Sequence, residues 1–331
     1  GPWARDSWGF NPLHQWLANR GYAVVSPNFR GSTGFGKNHV NSGDREWYGK
    51  MQDDINDAAA WAVEQGFADE NRMCIMGGSY GGYATLAGMT RDPELWACGV
   101  DIVGPSHVGT LLKTIPPYWA PIITMFTTRV GSLDEPEFLD SISPLTHVQK
   151  ISKPLLIGQG ANDPRVKLSE SDQIVEAMNS ADLPVTYIVF PDEGHGFRNP
   201  KNNMAFMATT EAFLAKHLGG RAEPIGDSIN ESTAQVREKG GLDFGDVAVY
   251  VAEEGEDEGP SLLTMEVSVE DLSPDQQTQF NQFLEQLDQL PPGMLQMVLD
   301  QITAQAGQAP AEDLALGALI AQTLDKKIKG E

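Results

Sequence analysis

The 331-residue chain predicts an α/β fold: a mostly parallel sheet with helices on both faces, followed by a small helical appendage. Three observations point there. Short apolar runs alternate with helical stretches through the first 220 residues, the βαβ rhythm of a parallel sheet. One run leads into Gly77-Gly78-Ser79-Tyr80-Gly81-Gly82, a glycine-serine turn before a helix. Past Gly219-Gly220 the composition turns acidic and amphipathic helical patterns replace the strands.

In order, residues 13–20 read as a helix and 22–27 as a strand. The glycine-rich loop 31–36 then leads to a helix over 53–65. That loop lacks both the Gly-Lys-Thr/Ser ending of a phosphate loop and dinucleotide spacing, so a nucleotide is set aside and no cofactor is expected. Arg30 is expected to brace the loop by pairing with Asp53 or Asp54. Residues 73–76 read as a buried strand, 83–89 as a helix packed on both sides, and 98–103 as the next strand. Residues 108–130 break the rhythm where such folds place pocket walls. Two more strands follow, 153–160 and 183–190, with a helix over 168–179 between them.

The turn at Ser79 carries the chemistry. A Gly-x-Ser-x-Gly between strand and helix forms a nucleophile elbow, a turn too tight for side chains at its flanking glycines, Gly77 and Gly81. The helix starting behind the serine aims free N–H groups at developing negative charge. Serine alone is a poor nucleophile, so a base and an orienting acid must follow, in the order Ser, Asp or Glu, His of the α/β-hydrolase fold. Asp163 lies on the loop after the strand 153–160, and His195 on the loop after 183–190. These loops top consecutive parallel strands, so their side chains can meet. Asp192 and Glu193 are rival acids too near His195 in sequence to reach its ring. Gly194 and Gly196 flank His195 and admit close approach. Of the other histidines, His14 and His217 read as surface residues and His39 and His147 as loop residues, while His107, after a strand, reads as capping or solvent-facing ahead of pocket-lining.

Five stretches then carry a resemblance: Gly1-Pro2-Trp3, Asn28-Phe29-Arg30-Gly31-Ser32-Thr33-Gly34-Phe35-Gly36, the Ser79-Tyr80-Gly81-Gly82-Tyr83 elbow, Asn162-Asp163-Pro164-Arg165, and Asp192-Glu193-Gly194-His195-Gly196. In order and spacing the first 220 residues or so resemble the catalytic domain of the prolyl oligopeptidase family of serine peptidases, in the style of its acylaminoacyl-peptidase and dipeptidyl-peptidase members. The resemblance implies Ser79 as nucleophile, His195 as general base and Asp163 as orienting acid, acting on short peptides through an acyl-enzyme. It makes the N–H of Tyr80 half of the oxyanion hole and Arg165 the holder of a substrate carbonyl. The family's second oxyanion donor comes from a turn whose last two residues match Gly1-Pro2. The chain is therefore expected to continue upstream into the family's β-propeller, and alone to lack a donor worth about 10²–10³ in turnover. Tyr80, Tyr83, Val166, Tyr118 and Trp119 are the candidates for an apolar specificity pocket. An esterase with the same triad, or an inactive interaction module, are the rival readings.

Composition bounds the rest. A net charge of −23 argues against nucleic acid, and no apolar run is long enough for a membrane span. Cys74 and Cys98 fall in core strands and read as small buried hydrophobes, with no metal site expected. The compartment is left open. The domain expectation is a hydrolase over 1–220, an acidic extension over 221–272 and a helical appendage over 273–331. Residues 221–331 hold six basic and 22 acidic residues. Ser273-Pro274-Asp275-Gln276 is a helix start with Ser at N-cap and Gln at N3. Phe280, Phe283, Leu284, Leu287 and Leu290 recur at helical spacing, and further amphipathic stretches lie around 294–302 and 314–328. Those helices pack on one another, on the hydrolase, or on another chain, a second copy included.

Overall fold

A computed structural model describes residues 1–115, 123–251, 267–287 and 311–329, with residues 262, 263, 265, 295, 298, 299 and 302 between them. The chain divides into two compact units, Gly1–Tyr250 and Val251–Glu331. The first holds strands β1 (Cys74–Gly78), β2 (Cys98–Ile102), β3 (Leu155–Gly160), β4 (Val185–Phe190) and β5 (Gln235–Lys239). Its helices are α1 (Pro12–Asn19), α2 (Lys37–Asn41), α3 (Lys50–Glu64), α4 (Tyr80–Arg91), α5 (Val108–Lys113), α6 (Ile123–Arg129), α7 (Pro136–Ser141), α8 (Leu168–Ser180) and α9 (Pro200–Leu218).

The five strands form one sheet in the order β1-β2-β3-β4-β5. β1 to β4 run parallel, in registers such as Cys74 opposite Cys98 and Leu155 opposite Val185; β5 returns antiparallel to β4. Side chains alternate across a pleated strand, and the core follows that alternation. Leu156, Ile188 and Phe190 pack toward α1 and α9, against Leu17, Phe206 and Phe213. Leu155, Ile157, Val185, Tyr187 and Val189 face the other way, against Leu86, Met89, Ile174 and Met178. Both faces are covered, which is why β3 and β4 read as continuous apolar runs. Gly158 lets the Phe206 ring lie against the sheet, since a Cβ there would come within 2.3 Å of it.

Two sequence expectations need correction. Residues 22–27 form no strand; Ala23 to Ser26 are exposed, and β1 is the sheet edge. A cavity of about 510 Å³, lined by Val24, Val25, Met73, Cys74, Ile75 and Met76 among others, lies beside that segment and β1. A short apolar run favours a strand, but a ladder also needs an edge within hydrogen-bonding reach. Residues 221–250, assigned by their charge to an acidic extension, belong to the first unit. Ile225, Ile229, Val236, Leu242 and Phe244 are buried in the same core as α9. The Arg30 brace pairs with Asp54, at 2.7 Å and 2.6 Å, while Asp53 pairs with Arg91. Burial raises the Asp54 carboxyl, and the Arg30 contacts outweigh it to leave the pKa lowered.

In the second unit α10 (Pro274–Leu287) starts with reciprocal contacts between Ser273 and Gln276, Ser273 N to Gln276 Oε1 and Gln276 N to Ser273 Oγ. Leu287 of α10 and Ala318, Ala321 and Leu324 of α11 (Ala311–Lys329) share one core with Leu262, Leu295 and Leu299. Most of the amphipathic stretch around 294–302 lies outside the described residues. Among the described residues no helix is long and apolar enough to cross a membrane.

Candidate active site

β1 delivers Ser79 at the top of the sheet. Its backbone takes φ 58° and ψ −116°, a left-handed conformation that costs a non-glycine residue about 1–3 kcal/mol. Two hydrogen bonds hold it: Ser79 N donates to Ile102 O at 2.8 Å, and Tyr83 N donates to Ser79 O at 3.0 Å. Gly77 is required, because a Cβ there would come within 2.5 Å of the Gly81 backbone. Gly81 differs from expectation: a Cβ on it would meet nothing within 4 Å. Of the two flanking glycines only Gly77 is sterically required; the other close approach is at Gly82, where a Cβ would come 2.6 Å from Gly104 Cα.

Asp163 follows β3. Its Oδ1 accepts from Arg165 N at 2.8 Å and Val166 N at 3.0 Å, which fixes the carboxylate by its own loop. Oδ2 lies 2.6 Å from His195 Nδ1, and the Asp163 side chain has no exposed surface. His195 Nε2 lies 2.9 Å from Ser79 Oγ. An acceptor-only carboxylate at Nδ1 assigns the proton to that nitrogen, which leaves the Nε2 lone pair facing the serine hydroxyl. The three loops thus converge, and the imidazole joins hydroxyl to carboxylate. Gly196, at φ 108°, supplies the turn just past the ring.

Asp192 and Glu193 point elsewhere. Asp192 accepts from Asn202 Nδ2 at 2.9 Å, and Glu193 from Arg198 N, Asn199 N and Asn202. Tyr80 opens α4 directly behind the serine. Gly1 lies against it, since a Cβ on Gly1 would come 3.2 Å from Tyr80 Cβ. Burial, and then the nearby positive charge of Arg165, lower the pKa of the Gly1 amine. Tyr80, Tyr83 and Val166 all join a buried cluster with Trp47 and Met51. Tyr83 has no exposed surface and donates its hydroxyl to Ile142 O at 2.6 Å, so it is core rather than an open pocket wall, a correction. Tyr118 and Trp119 lie outside the described residues.

Of the other histidines, His107 caps α5, its Nδ1 accepting from Gly109 N at 3.0 Å. His217, expected on the surface, is half-buried, and burial lowers its pKa. Among the described residues no group of three or more His, Cys, Asp or Glu side chains is placed to hold a metal ion.

Sequence reasoning missed Asp101, at the end of β2 beneath the elbow. It is fully buried; Oδ1 accepts from Gly104 N at 2.9 Å, while Oδ2 has no hydrogen-bond partner. Burial pushes its pKa up to about 7, against the Gly104 hydrogen bond. The intervening Val103 is left-handed at φ 50°. An acid inside an apolar strand gives no periodicity signal, which is why it escaped notice.

A parallel sheet, a strained serine at a strand–helix turn, and an acid–imidazole–hydroxyl chain define an α/β-hydrolase fold. The model of the prolyl oligopeptidase family matches residues 8–221, and the chain belongs to that family. It is 60% identical over 239 residues to dipeptidyl aminopeptidase BIII of Pseudoxanthomonas mexicana, covering 71% of this chain and 35% of that protein. It is 48% identical over 244 residues to dipeptidyl peptidase family member 6 of Caenorhabditis elegans, covering 72% and 33%. Among solved structures, a Mycobacterium tuberculosis puromycin-hydrolyzing peptidase superposes with TM-score 0.64 at 28% identity, over 68% of this chain and 34% of that one. The chain spans about a third of the length of these relatives.

Proposed function

We propose that the chain is the catalytic part of a serine peptidase that releases dipeptides from the amino ends of short peptides. The observation that carries this reading is the relay of Asp163, His195 and Ser79 at 2.6 Å and 2.9 Å. Ser79 Oγ attacks the scissile carbonyl carbon while its proton passes to His195 Nε2. The Tyr80 N–H, beside Gly1, steadies the oxyanion. The C–N bond then breaks, Nε2 returns its proton to the leaving amine, and the acyl group stays on Oγ. Water, deprotonated by His195, attacks the acyl carbon and frees the serine. Asp163 holds the ring in the Nδ1–H form and offsets the charge it gains. Arg165, two residues after Asp163, is the side chain assigned to hold a substrate carbonyl. The names of the two similar dipeptidyl peptidases support dipeptides as the product.

The test is turnover of dipeptidyl nitroanilides, with and without a blocked amino terminus. The unblocked amide is expected to be cleaved, and Ser79→Ala to lower kcat/KM by about 10⁴–10⁶. Equal turnover by the alanine variant overturns the reading. Turnover of nitrophenyl esters without any amide cleavage favours an esterase instead.

A further inference from the structure

We propose that Glu193 is a positioning residue for His195. Its buried carboxylate ties the loop carrying the imidazole to the start of α9 and holds the ring between Asp163 and Ser79. The proposal rests on the peptidase reading for its kinetic arm alone.

His195 reaches two partners from a loop joining β4 to α9, with glycine on both sides of it. Glycine widens the conformations open to a chain, so something outside the ring must remove that freedom. Glu193 is 5% exposed and lies two residues before His195. Its Oε2 accepts from Arg198 N at 2.9 Å, and its Oε1 from Asn199 N at 2.8 Å. One carboxylate therefore bridges the loop from before the histidine to after it, closing residues 193–199 into a ring. Asn202 Nδ2 adds a third donor at 3.0 Å from the first turn of α9. Asn202 is itself fully buried, donates to Asp192 at 2.9 Å and accepts from Thr233 N at 3.0 Å. The ring is thus fastened to the helix and to the residues leading into β5.

The backbone of Glu193 reaches the other way. Its carbonyl accepts from Asn162 N at 2.9 Å, one residue before Asp163. The two loops are packed so closely that a Cβ on Gly160 would come 2.6 Å from the Glu193 carbonyl oxygen. A single residue thus contacts the acid's loop through its main chain and the base's loop through its side chain. All three side-chain partners are N–H donors, which suits a group that only accepts. Glutamine of the same shape sets an NH₂ against one of them, and a donor facing a donor pushes the ring open. Displacing a reacting group by about 1 Å costs on the order of 10²-fold in rate.

The experiment compares wild type, Glu193→Gln and Glu193→Asp by proton NMR of the His195 Nδ1–H, by thermal melting, and by kcat and KM on a dipeptidyl nitroanilide. The far-downfield Nδ1–H signal reports the Asp163 contact without any turnover. E193Q is expected to lose or broaden that signal and to lower kcat about 10–100-fold with KM within about twofold. E193D, which keeps the charge on a shorter arm, is expected to fall between and covers the case in which E193Q does not fold. A lowered melting temperature with signal and kcat unchanged overturns the proposal and makes Glu193 a brace for α9 only. If wild type shows the signal but cleaves no amide, the peptidase reading fails, and the NMR arm still decides the role of Glu193.

Discussion

Asp101 shows what a single buried acid does to this fold. With Oδ2 unpartnered and a folded pKa of about 7, it is neutral through mildly acid pH, whereas an unfolded carboxyl titrates near 3.9. Folding therefore retains a proton. The stabilisation linked to that proton is complete below about pH 4 and is lost as pH rises through 7, a swing on the order of 4 kcal/mol. Asp101→Asn removes the swing while keeping an oxygen for Gly104 N. The variant's stability relative to wild type is expected to rise between pH 5 and pH 8, as read by urea unfolding at both values. Parallel curves for the two proteins contradict it. At this scale the triad was legible because three residue types in a fixed chain order, each next to a glycine or proline, mark loops at strand ends. Asp101, Glu193 and Asn202 were not, because their roles come from burial and from partners far away in the chain.

At the level of elements, β3 and β4 were legible because strands covered on both faces are largely apolar along their length. The strand β5, Gln-Val-Arg-Glu-Lys, was not: only Val236 is buried among these five residues, and the rest read as solvated polar and charged side chains. Residues 22–27 erred the other way, strand-like in pattern but without a ladder. The elbow depends on one such element boundary, where β1 turns into α4. Gly77→Ala drives a methyl into the Gly81 backbone, and neither strand nor helix can yield without moving Ser79. It is expected to cost roughly 3 kcal/mol and to abolish covalent labelling of Ser79. Melting temperature and labelling measured together check this; a variant that melts and labels as wild type does refutes the tight-turn account.

Over the whole molecule, each of the two units has its own buried core. A chain ending after Tyr250 is expected to keep the melting transition of the first unit and its reactivity. Ending the chain after residue 220 removes β5 and five buried apolar residues of the main core, Ile225, Ile229, Val236, Leu242 and Phe244. At about 1.5–3 kcal/mol each, that loss is comparable to the stability of an entire domain, so this shorter chain is expected not to fold. Circular dichroism of the two truncations separates these outcomes. The boundary near 250 was hidden in the sequence because the acidic shift begins at 220, ahead of the structural break.

The most direct measurement is mass spectrometry of the intact chain and its peptides after reaction with a fluorophosphonate, which bonds to an activated serine without needing a complete substrate site. One adduct is expected, on Ser79, absent from Ser79→Ala and strongly slowed in His195→Ala. No adduct on the wild-type chain, or an adduct elsewhere that survives Ser79→Ala, contradicts it.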